Sequence, residues 1–155
     1  MVELFPFFEA AATWGAAVFV HPLRPCGMER LVGPAALEQV VAFPGEIGLA
    51  GASLVTSRRL AELPALRVAL SHGGGSLAML VPRLRHAQVC LPPVRDTLRE
   101  DALLSARRLW IDDLVYDAPT LQHLVAVFGA DRVMAGSDYP FAIMDTAAAQ
   151  ILVFG

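Results

Sequence analysis

The chain has 155 residues, of which 55% are hydrophobic and 17% charged, and its formal net charge is −3. This length fits one domain spanning residues 1–155, and the high apolar content excludes an intrinsically disordered protein. All 12 basic residues are scattered arginines, so lysine-dependent chemistry is excluded and no nucleic-acid partner is expected.

The apolar N-terminal segment and the two cysteines both indicate a cytoplasmic protein. Glu3 and Glu9 interrupt that segment, which therefore lacks the roughly 20 continuous apolar residues of a membrane span. It also lacks the basic start of a signal peptide. Cys26 and Cys90 lie far apart and without metal-site spacing, which is typical of two reduced thiols. We therefore expect a cytoplasmic location and no membrane partner.

Helical and strand-like patterns alternate along the chain. From the N-terminus the predicted elements are a helix at 4–14, a strand at 16–20, a loop at 23–34, and helices at 35–43 and 50–63 with a turn at Pro44 and Gly45 between them. They continue with a strand at 66–70, a helix at 77–89, a loop at 90–93 and a helical or irregular segment at 97–106. The last predicted elements are a strand at 109–111, a helix at 119–128, a strand at 132–135 and a helix at 144–153. The strands are short, uninterrupted apolar runs, as expected when both faces of a parallel sheet are covered. This alternation predicts an α/β fold of parallel strands connected by helices.

A residue that can bind a metal or move a proton stands where each predicted strand ends. These residues are His21, His72, Asp112 and Asp138. The carboxyl ends of parallel strands meet at one edge of the sheet, so we expect the four side chains to converge. Two imidazoles and two carboxylates suit a divalent ion such as Zn²⁺. They equally suit proton transfer without a metal, and the residues by themselves leave both chemistries open.

Each of these residues also has an ordinary structural interpretation when taken alone. His21 can end a turn, Asp112 can cap a helix and Asp138 can form an Asx turn. His72 is followed by glycines 73–75, which free backbone N–H groups for a ligand but also make a tight connection. The coincidence at four consecutive strand ends favours the functional interpretation over the structural one.

The residues around the four strand ends form an ordered set of motifs. They are Phe19-Val20-His21-Pro22, Leu70-Ser71-His72-Gly73-Gly74-Gly75, Asp112-Asp113-Leu114-Val115-Tyr116-Asp117 and Gly136-Ser137-Asp138-Tyr139-Pro140-Phe141. In order and rough spacing this set resembles the amidohydrolase-related family, and most closely its aminocarboxymuconate-semialdehyde decarboxylase-like branch. The resemblance covers nearly the whole chain, and the ordered set is more specific than any single motif.

The resemblance implies a fold, a cofactor and a role for each residue. Members of the family are TIM barrels with one divalent metal ion, commonly Zn²⁺, and many are nonoxidative decarboxylases while others are hydrolases. By resemblance, His21 and Asp138 are metal ligands, Asp138 also carries a proton, and His72 is the general acid/base. Arg83 is expected to reach a substrate carboxylate in a neighbouring subunit, and Asp112 is assigned with it to substrate binding.

The chain departs from the family pattern in one important respect. The family's first strand carries a His-x-His pair that supplies two metal ligands, and this sequence contains no such pair. A complete (β/α)₈ barrel also needs about 250 residues. We therefore expect a partial barrel, the C-terminal half, with strands five to eight and their helices.

The expected function is a metal-dependent, nonoxidative decarboxylation of a small unsaturated or aromatic carboxylic acid by a homo-oligomer. Two alternatives stay open. One is a hydrolase of a cyclic ester or amide, and the other is an inactive or self-associating half-barrel, so whether this chain is itself an enzyme is left open.

Overall fold

The computed structural model of the chain describes residues 4–98 and 100–145. The helices are α1 (Phe5–Trp14), α2 (Phe43–Thr56), α3 (Arg59–Glu62), α4 (Leu77–Cys90), α5 (Pro92–Thr97), α6 (Ala102–Ala106) and α7 (Ala118–Phe128), and the strands are β1 (Ala17–Val20), β2 (Arg67–Leu70), β3 (Trp110–Asp112) and β4 (Val133–Met134). Short 3-10 turns lie at Met28–Arg30, His72–Gly74 and Ala130–Arg132, and a π-helical turn lies at Glu38–Ala42.

The four strands form one parallel sheet in the order β1-β2-β3-β4. Each strand follows its predecessor through at least one helix, which is the connection that parallel neighbours require. The predicted α/β fold with a parallel sheet is therefore confirmed. Because all four strands run the same way, their carboxyl ends meet at one edge of the sheet.

The hydrophobic core lies between the sheet and the helices that connect its strands. Val68, Leu70 and Ile111, from the two central strands, are fully buried. Helix α2 packs especially closely, since a Cβ placed on Gly51 would lie 2.7 Å from Leu77 Cδ2 and 2.9 Å from Leu70 Cδ1. This close approach fixes α2 against β2 and α4, the elements on either side of the His72 turn.

The outer strands β1 and β4 leave the sheet open. Within the described residues, each has a strand neighbour on one side only. Phe19 of β1 is 56% exposed, and an apolar groove of about 390 Å³ runs past it. An open parallel sheet with an apolar edge is the shape expected of part of a barrel rather than of a closed one.

The predicted turn at Pro44 and Gly45 is wrong, because a helix runs through both residues. Helix α2 begins at Phe43, so Pro44 lies in its first turn, where a missing N–H costs no helical hydrogen bond. The π-helical turn Glu38–Ala42 leads directly into α2. Proline therefore stands where the π-helical turn passes into the α-helix, and it does not end the helical stretch.

Two other boundaries differ from the sequence pattern. The predicted helix 50–63 is divided at Arg58, whose φ of 67° is left-handed. The Arg58 guanidinium donates to the carbonyls of Asp96 and Thr97, contacts that no local pattern reveals. The predicted loop 90–93 is wrong except at Leu91, because α4 extends through Cys90 and α5 begins at Pro92.

Two expectations are not decided by the described residues. Residues 146–153 of the last predicted helix lie outside them. The helical stretch Glu38–Thr56 is long and apolar enough to cross a membrane by length and composition, yet its Ile47 and Val55 are buried in the core. Buried residues make up only 28% of its 18-residue apolar window, and the absence of a membrane partner stays a prediction.

Candidate active site

The carboxyl edge of the sheet brings together the four residues that the sequence singled out. His21 follows β1, His72 follows β2, Asp112 ends β3 and Asp138 lies in the loop after β4. All four line one cavity of about 190 Å³ at this edge. The convergence expected from parallel strands is therefore present in the structure.

The two imidazoles lie next to each other. The ring centroids of His21 and His72 are 5.0 Å apart in an edge-to-face arrangement, and the ring of Phe43 stacks on His72 at 6.0 Å. His21 Nδ1 lies 2.7 Å from the carbonyl oxygen of Pro22. Because a carbonyl only accepts hydrogen bonds, Nδ1 carries the proton, and Nε2 is the nitrogen available to a ligand.

His72 lies in a strained, glycine-rich turn. Its φ of 55° is left-handed, which is uncommon for a residue with a side chain. Its ring is half-buried, and among the described residues the buried Nε2 atom has no hydrogen-bond partner. Burial lowers the pKa of His72 below its ordinary value, although the Asp112 carboxylate partly opposes this. His72 is therefore held as a neutral imidazole near pH 7, able to accept a proton.

Asp112 binds the backbone of the His72 turn. Its Oδ2 accepts a hydrogen bond from the His72 N–H at 3.0 Å, and its Oδ1 accepts one from the Gly73 N–H at 2.6 Å. Burial raises the pKa of Asp112, and the backbone N–H groups oppose that rise. The substrate contact expected of Asp112 stays a prediction, and the contacts observed here are to the protein's own backbone.

Asp138, in the loop after β4, is the fourth residue that lines the cavity of about 190 Å³. It has a left-handed φ of 56° and is half-buried. Together with His21, His72 and Phe43 it lines a smaller cavity of about 40 Å³. That space is of the order of one water molecule or one ion. Imidazole and carboxylate side chains thus share this small space with the apolar side chains of Phe141 and Ile143.

The described residues do not by themselves make a complete metal site. No group of three histidine, cysteine, aspartate or glutamate side chains among residues 4–98 and 100–145 is arranged to hold an ion. A catalytic zinc site usually takes three protein ligands. The metal-ligand role expected of His21 and Asp138 therefore stays a prediction.

A larger cavity opens beside His72. It has a volume of about 590 Å³, and its walls include Pro44, Leu114, Val115 and Tyr116. Volume and lining are typical of a site for a small organic molecule. The Tyr116 pKa is raised, by burial and then by the nearby Asp138 carboxylate, so its hydroxyl keeps its proton at neutral pH.

Arg83 lies apart from this group. It is exposed on α4 and does not line the cavities described above. Its expected contact with a substrate in a neighbouring subunit stays a prediction. The remaining histidines, His86 and His123, are also exposed on helices.

Two residues near the site were not found from the sequence. Phe43 packs against both imidazoles, but it is the last residue of the predicted helix 35–43, and no local signal marks it as part of the site. Asp113 is buried, and its Oδ1 accepts a hydrogen bond from the Gly136 N–H at 2.7 Å in the loop that carries Asp138. The adjacent Asp112-Asp113 pair at a strand end was the available signal for the second.

Comparison with known proteins identifies the family. A family model described as amidohydrolase matches residues 2–153. The chain is 34% identical over 153 residues to 2-amino-3-carboxymuconate-6-semialdehyde decarboxylase of Dictyostelium discoideum, covering 97% of this chain and 42% of that protein. It thus spans less than half the length of this relative.

Solved structures show the same fold. The crystal structure of 5-carboxyvanillate decarboxylase from Sphingomonas paucimobilis matches with a TM-score of 0.80 at 22% identity, over 97% of this chain and 46% of that one. A dihydroxybenzoic acid decarboxylase from Polaromonas sp. JS666, which holds manganese and the inhibitor 2-nitroresorcinol, matches with a TM-score of 0.76 at 19% identity, over 97% and 47%. The fold of this chain is thus that of these structures, and the family match over residues 2–153 shows that the chain belongs to the amidohydrolase family.

Proposed function

We propose that the chain is the C-terminal half, strands five to eight, of a metal-dependent barrel that decarboxylates a small unsaturated or aromatic carboxylic acid without an oxidant. The observation that carries this proposal is the convergence of His21, His72 and Asp138 on one cavity of about 40 Å³ at the carboxyl edge of the sheet. The relatives named above, which are decarboxylases, support the reaction class.

His72 is the proton carrier of the proposed reaction. In a nonoxidative decarboxylation the bond to the carboxylate breaks, CO₂ leaves, and a proton takes its place on the carbon. A neutral imidazole with a lowered pKa accepts a proton from water or substrate. The imidazolium so formed is a stronger acid than the imidazolium of a solvent-exposed histidine. The unpartnered Nε2 is the atom that would exchange this proton.

His21 and Asp138 are proposed as two of the protein ligands of a divalent metal, Zn²⁺ or Mn²⁺. Manganese is the ion bound in the Polaromonas structure. Because the described residues do not complete a three-ligand set, the remaining ligand must come from polypeptide outside residues 4–98 and 100–145.

The substrate is proposed to lie in the larger cavity with its carboxylate toward the 40 Å³ space. The walls of that cavity, with Leu114, Val115 and Tyr116, are mainly apolar and suit a ring or an unsaturated chain. A cytoplasmic location also stays a prediction. The two exposed free cysteines support it, because thiols stay reduced in the cytosol.

Self-association is a second proposal, favoured by the open edge at β1. Phe19 is 56% exposed beside an apolar groove, and the outer side of β1 has no strand partner among the described residues. Exposed parallel edges tend to pair with another chain. A homo-oligomer would cover this surface, and it is also what the proposed role of Arg83 requires.

The test of the catalytic proposal is a fusion of this chain to the part of the Dictyostelium relative that it does not match. We expect the folded fusion, supplied with Mn²⁺, to release CO₂ from 2-amino-3-carboxymuconate-6-semialdehyde, 5-carboxyvanillate or a dihydroxybenzoate. His72→Asn should abolish the release, and the matched control His123→Asn should retain it. A fusion that folds and binds Mn²⁺ but releases no CO₂ from any of these acids contradicts the proposal.

A further inference from the structure

We propose that Asp112 is a positioning residue, which holds the backbone of the His72 turn so that the imidazole faces the metal-sized cavity. The assignment of a purpose to this contact rests on the proposed role of His72 as proton carrier. The contact itself is independent of that role, and the experiment below separates the two.

The carboxylate of Asp112 joins two loops of the site. Oδ2 accepts the His72 N–H at 3.0 Å, while Oδ1 accepts the Gly73 N–H at 2.6 Å and the Leu114 N–H at 3.3 Å. The first two donors lie in the loop after β2, and the third lies after β3. One buried side chain, 7% exposed, thus fixes the relative position of both loops.

The turn that Asp112 holds would not be stable from local preference alone. His72 has a left-handed φ of 55°, a conformation that residues with a side chain rarely adopt. Gly73 has a φ of 61°, and a Cβ at this position would lie 2.4 Å from Val115 Cγ1. Such a backbone persists only when its surroundings determine it. Hydrogen bonds from successive N–H groups to one carboxylate supply that determination.

The charge of Asp112 agrees with a positioning role rather than with a contact to the substrate. Its side-chain hydrogen bonds with the described residues all come from backbone N–H groups, and they occupy both oxygens. A substrate of the proposed class is itself a carboxylate, which a second carboxylate would repel. The same negative charge faces the His72 ring, where it favours the protonated form.

The neighbouring Asp113 offers a matched control, because its hydrogen bonding is different. Only Oδ1 of Asp113 accepts a side-chain hydrogen bond, from the Gly136 N–H at 2.7 Å, while Oδ2 is buried with no partner among the described residues. Asparagine at 113 therefore keeps its one bond. Asparagine at 112 cannot keep all of the wild-type hydrogen bonds, because its NH₂ group replaces an oxygen that accepts a backbone N–H in the wild-type chain.

The experiment compares Asp112→Asn with Asp113→Asn on the whole chain by amide hydrogen exchange, read residue by residue with NMR. In Asp112→Asn we expect the His72 and Gly73 amides to exchange about tenfold faster or more, which is the loss of one charge-assisted hydrogen bond. The amide of Val68, in the centre of β2, should keep its wild-type rate. Asp113→Asn should leave all three rates unchanged.

Three results would overturn the proposal. They are unchanged exchange at His72 and Gly73, equal acceleration in both variants, and acceleration spread evenly over the four strands. The last means that Asp112 supports the whole fold rather than one turn. If Asp112→Asn does not fold, Asp112→Glu, which keeps the charge but moves it by one methylene, must show the same local acceleration.

A kinetic measurement on the fusion described above provides the functional half of the test. Asp112→Asn should lower kcat and leave KM near its wild-type value, because a misplaced imidazole affects proton transfer more than substrate binding. A rise in KM at unchanged kcat would instead identify Asp112 as a substrate contact and overturn the proposal. If the wild-type fusion has no activity, the proposed function fails while the exchange measurement still decides the role of Asp112.

Discussion

The imidazole of His21 lies edge-to-face against that of His72, with ring centroids 5.0 Å apart, although the two residues follow different strands. The contact exists because β1 and β2 are parallel neighbours paired in register from Ala17 with Arg67 to Val20 with Leu70. Each histidine is the first or second residue after that paired segment. Proximity of the two rings means that a positive charge on one disfavours protonation of the other, which is one of the effects that lower the pKa of His72.

The first prediction concerns the metal ligands. His21→Ala and Asp138→Ala should each weaken the binding of Mn²⁺ or Zn²⁺ to the fusion. The loss should exceed the roughly 10- to 100-fold that follows removal of a residue that only hydrogen-bonds to a metal ligand. Isothermal titration calorimetry measures it. His72→Ala should leave the metal affinity unchanged, and so should His123→Ala as the exposed control. Equal losses in the His21 and His72 variants would mean that His72 is a ligand and not a proton carrier.

The second prediction concerns the glycine that lets the His72 turn pass close to α2. Gly75 has a φ of 57°, and a Cβ there would lie 2.0 Å from the Pro44 carbonyl oxygen. Gly75→Ala should therefore destabilise the fold by about 2–5 kcal/mol, from backbone strain and overpacking together. Urea denaturation of the variant measures this loss.

The matched control for that measurement is Gly45, in the first turn of α2. A Cβ at Gly45 meets nothing within 4 Å. Gly45→Ala should stabilise the chain by about 0.5–1 kcal/mol, because alanine loses less backbone entropy in a helix. Similar losses of stability in both variants would contradict the packing seen between the turn and α2.

The third prediction is a pH dependence at Asp101, which caps α6. Burial alone would raise the pKa of Asp101, but hydrogen bonds from the Arg85 side chain and the Leu103 N–H outweigh it and hold that pKa below its ordinary value. Because its pKa is lowered in the folded state, the Asp101 carboxylate contributes stability at pH values above its ordinary pKa, near 3.8. This contribution is lost as the pH falls through the lowered pKa of the folded state. The exposed ion pair with Arg85 makes this contribution small.

Two substitutions separate the cap from the charge. Asp101→Ala should cost about 1 kcal/mol at neutral pH, whereas Asp101→Asn should cost less, because asparagine caps a helix as well as aspartate does. Both should remove the acid-dependent contribution of this residue. Thermal denaturation at neutral pH and below pH 4 measures the difference, and equal costs for the two variants would show that the charge and not the cap matters.

The fourth prediction concerns the open edge of the sheet. Phe19→Arg should shift the chain toward monomers in size-exclusion chromatography with light scattering, because it places a charge on the apolar surface beside β1. Leu23→Arg is the control, since Leu23 is 82% exposed in the following loop. A wild-type chain that is monomeric at every concentration would contradict the proposed self-association.

Much of the fold was predictable from local pattern, and the errors have identifiable causes. The apolar runs that became β1 and β2 and the amphipathic run that became α7 carry their signal within a few residues. The local pattern predicts turn or loop residues at Pro44 and Pro92, yet each occupies the first turn of an α-helix, a position that proline fits equally well. The break at Arg58 depends on its contacts with distant carbonyls, which local pattern does not contain.

The sequence by itself determined the ordered set of strand-end residues, because strand length and composition are local properties and parallel strands place their ends on one edge. It therefore predicted that His21, His72 and Asp138 would meet. Only the tertiary structure decided how they are held. The Asp112 carboxylate reaches the His72 turn from a neighbouring strand, and Asp113 reaches the loop of Asp138. Hydrogen bonds between segments so far apart in the chain depend on strand register, and register is a property of the folded sheet.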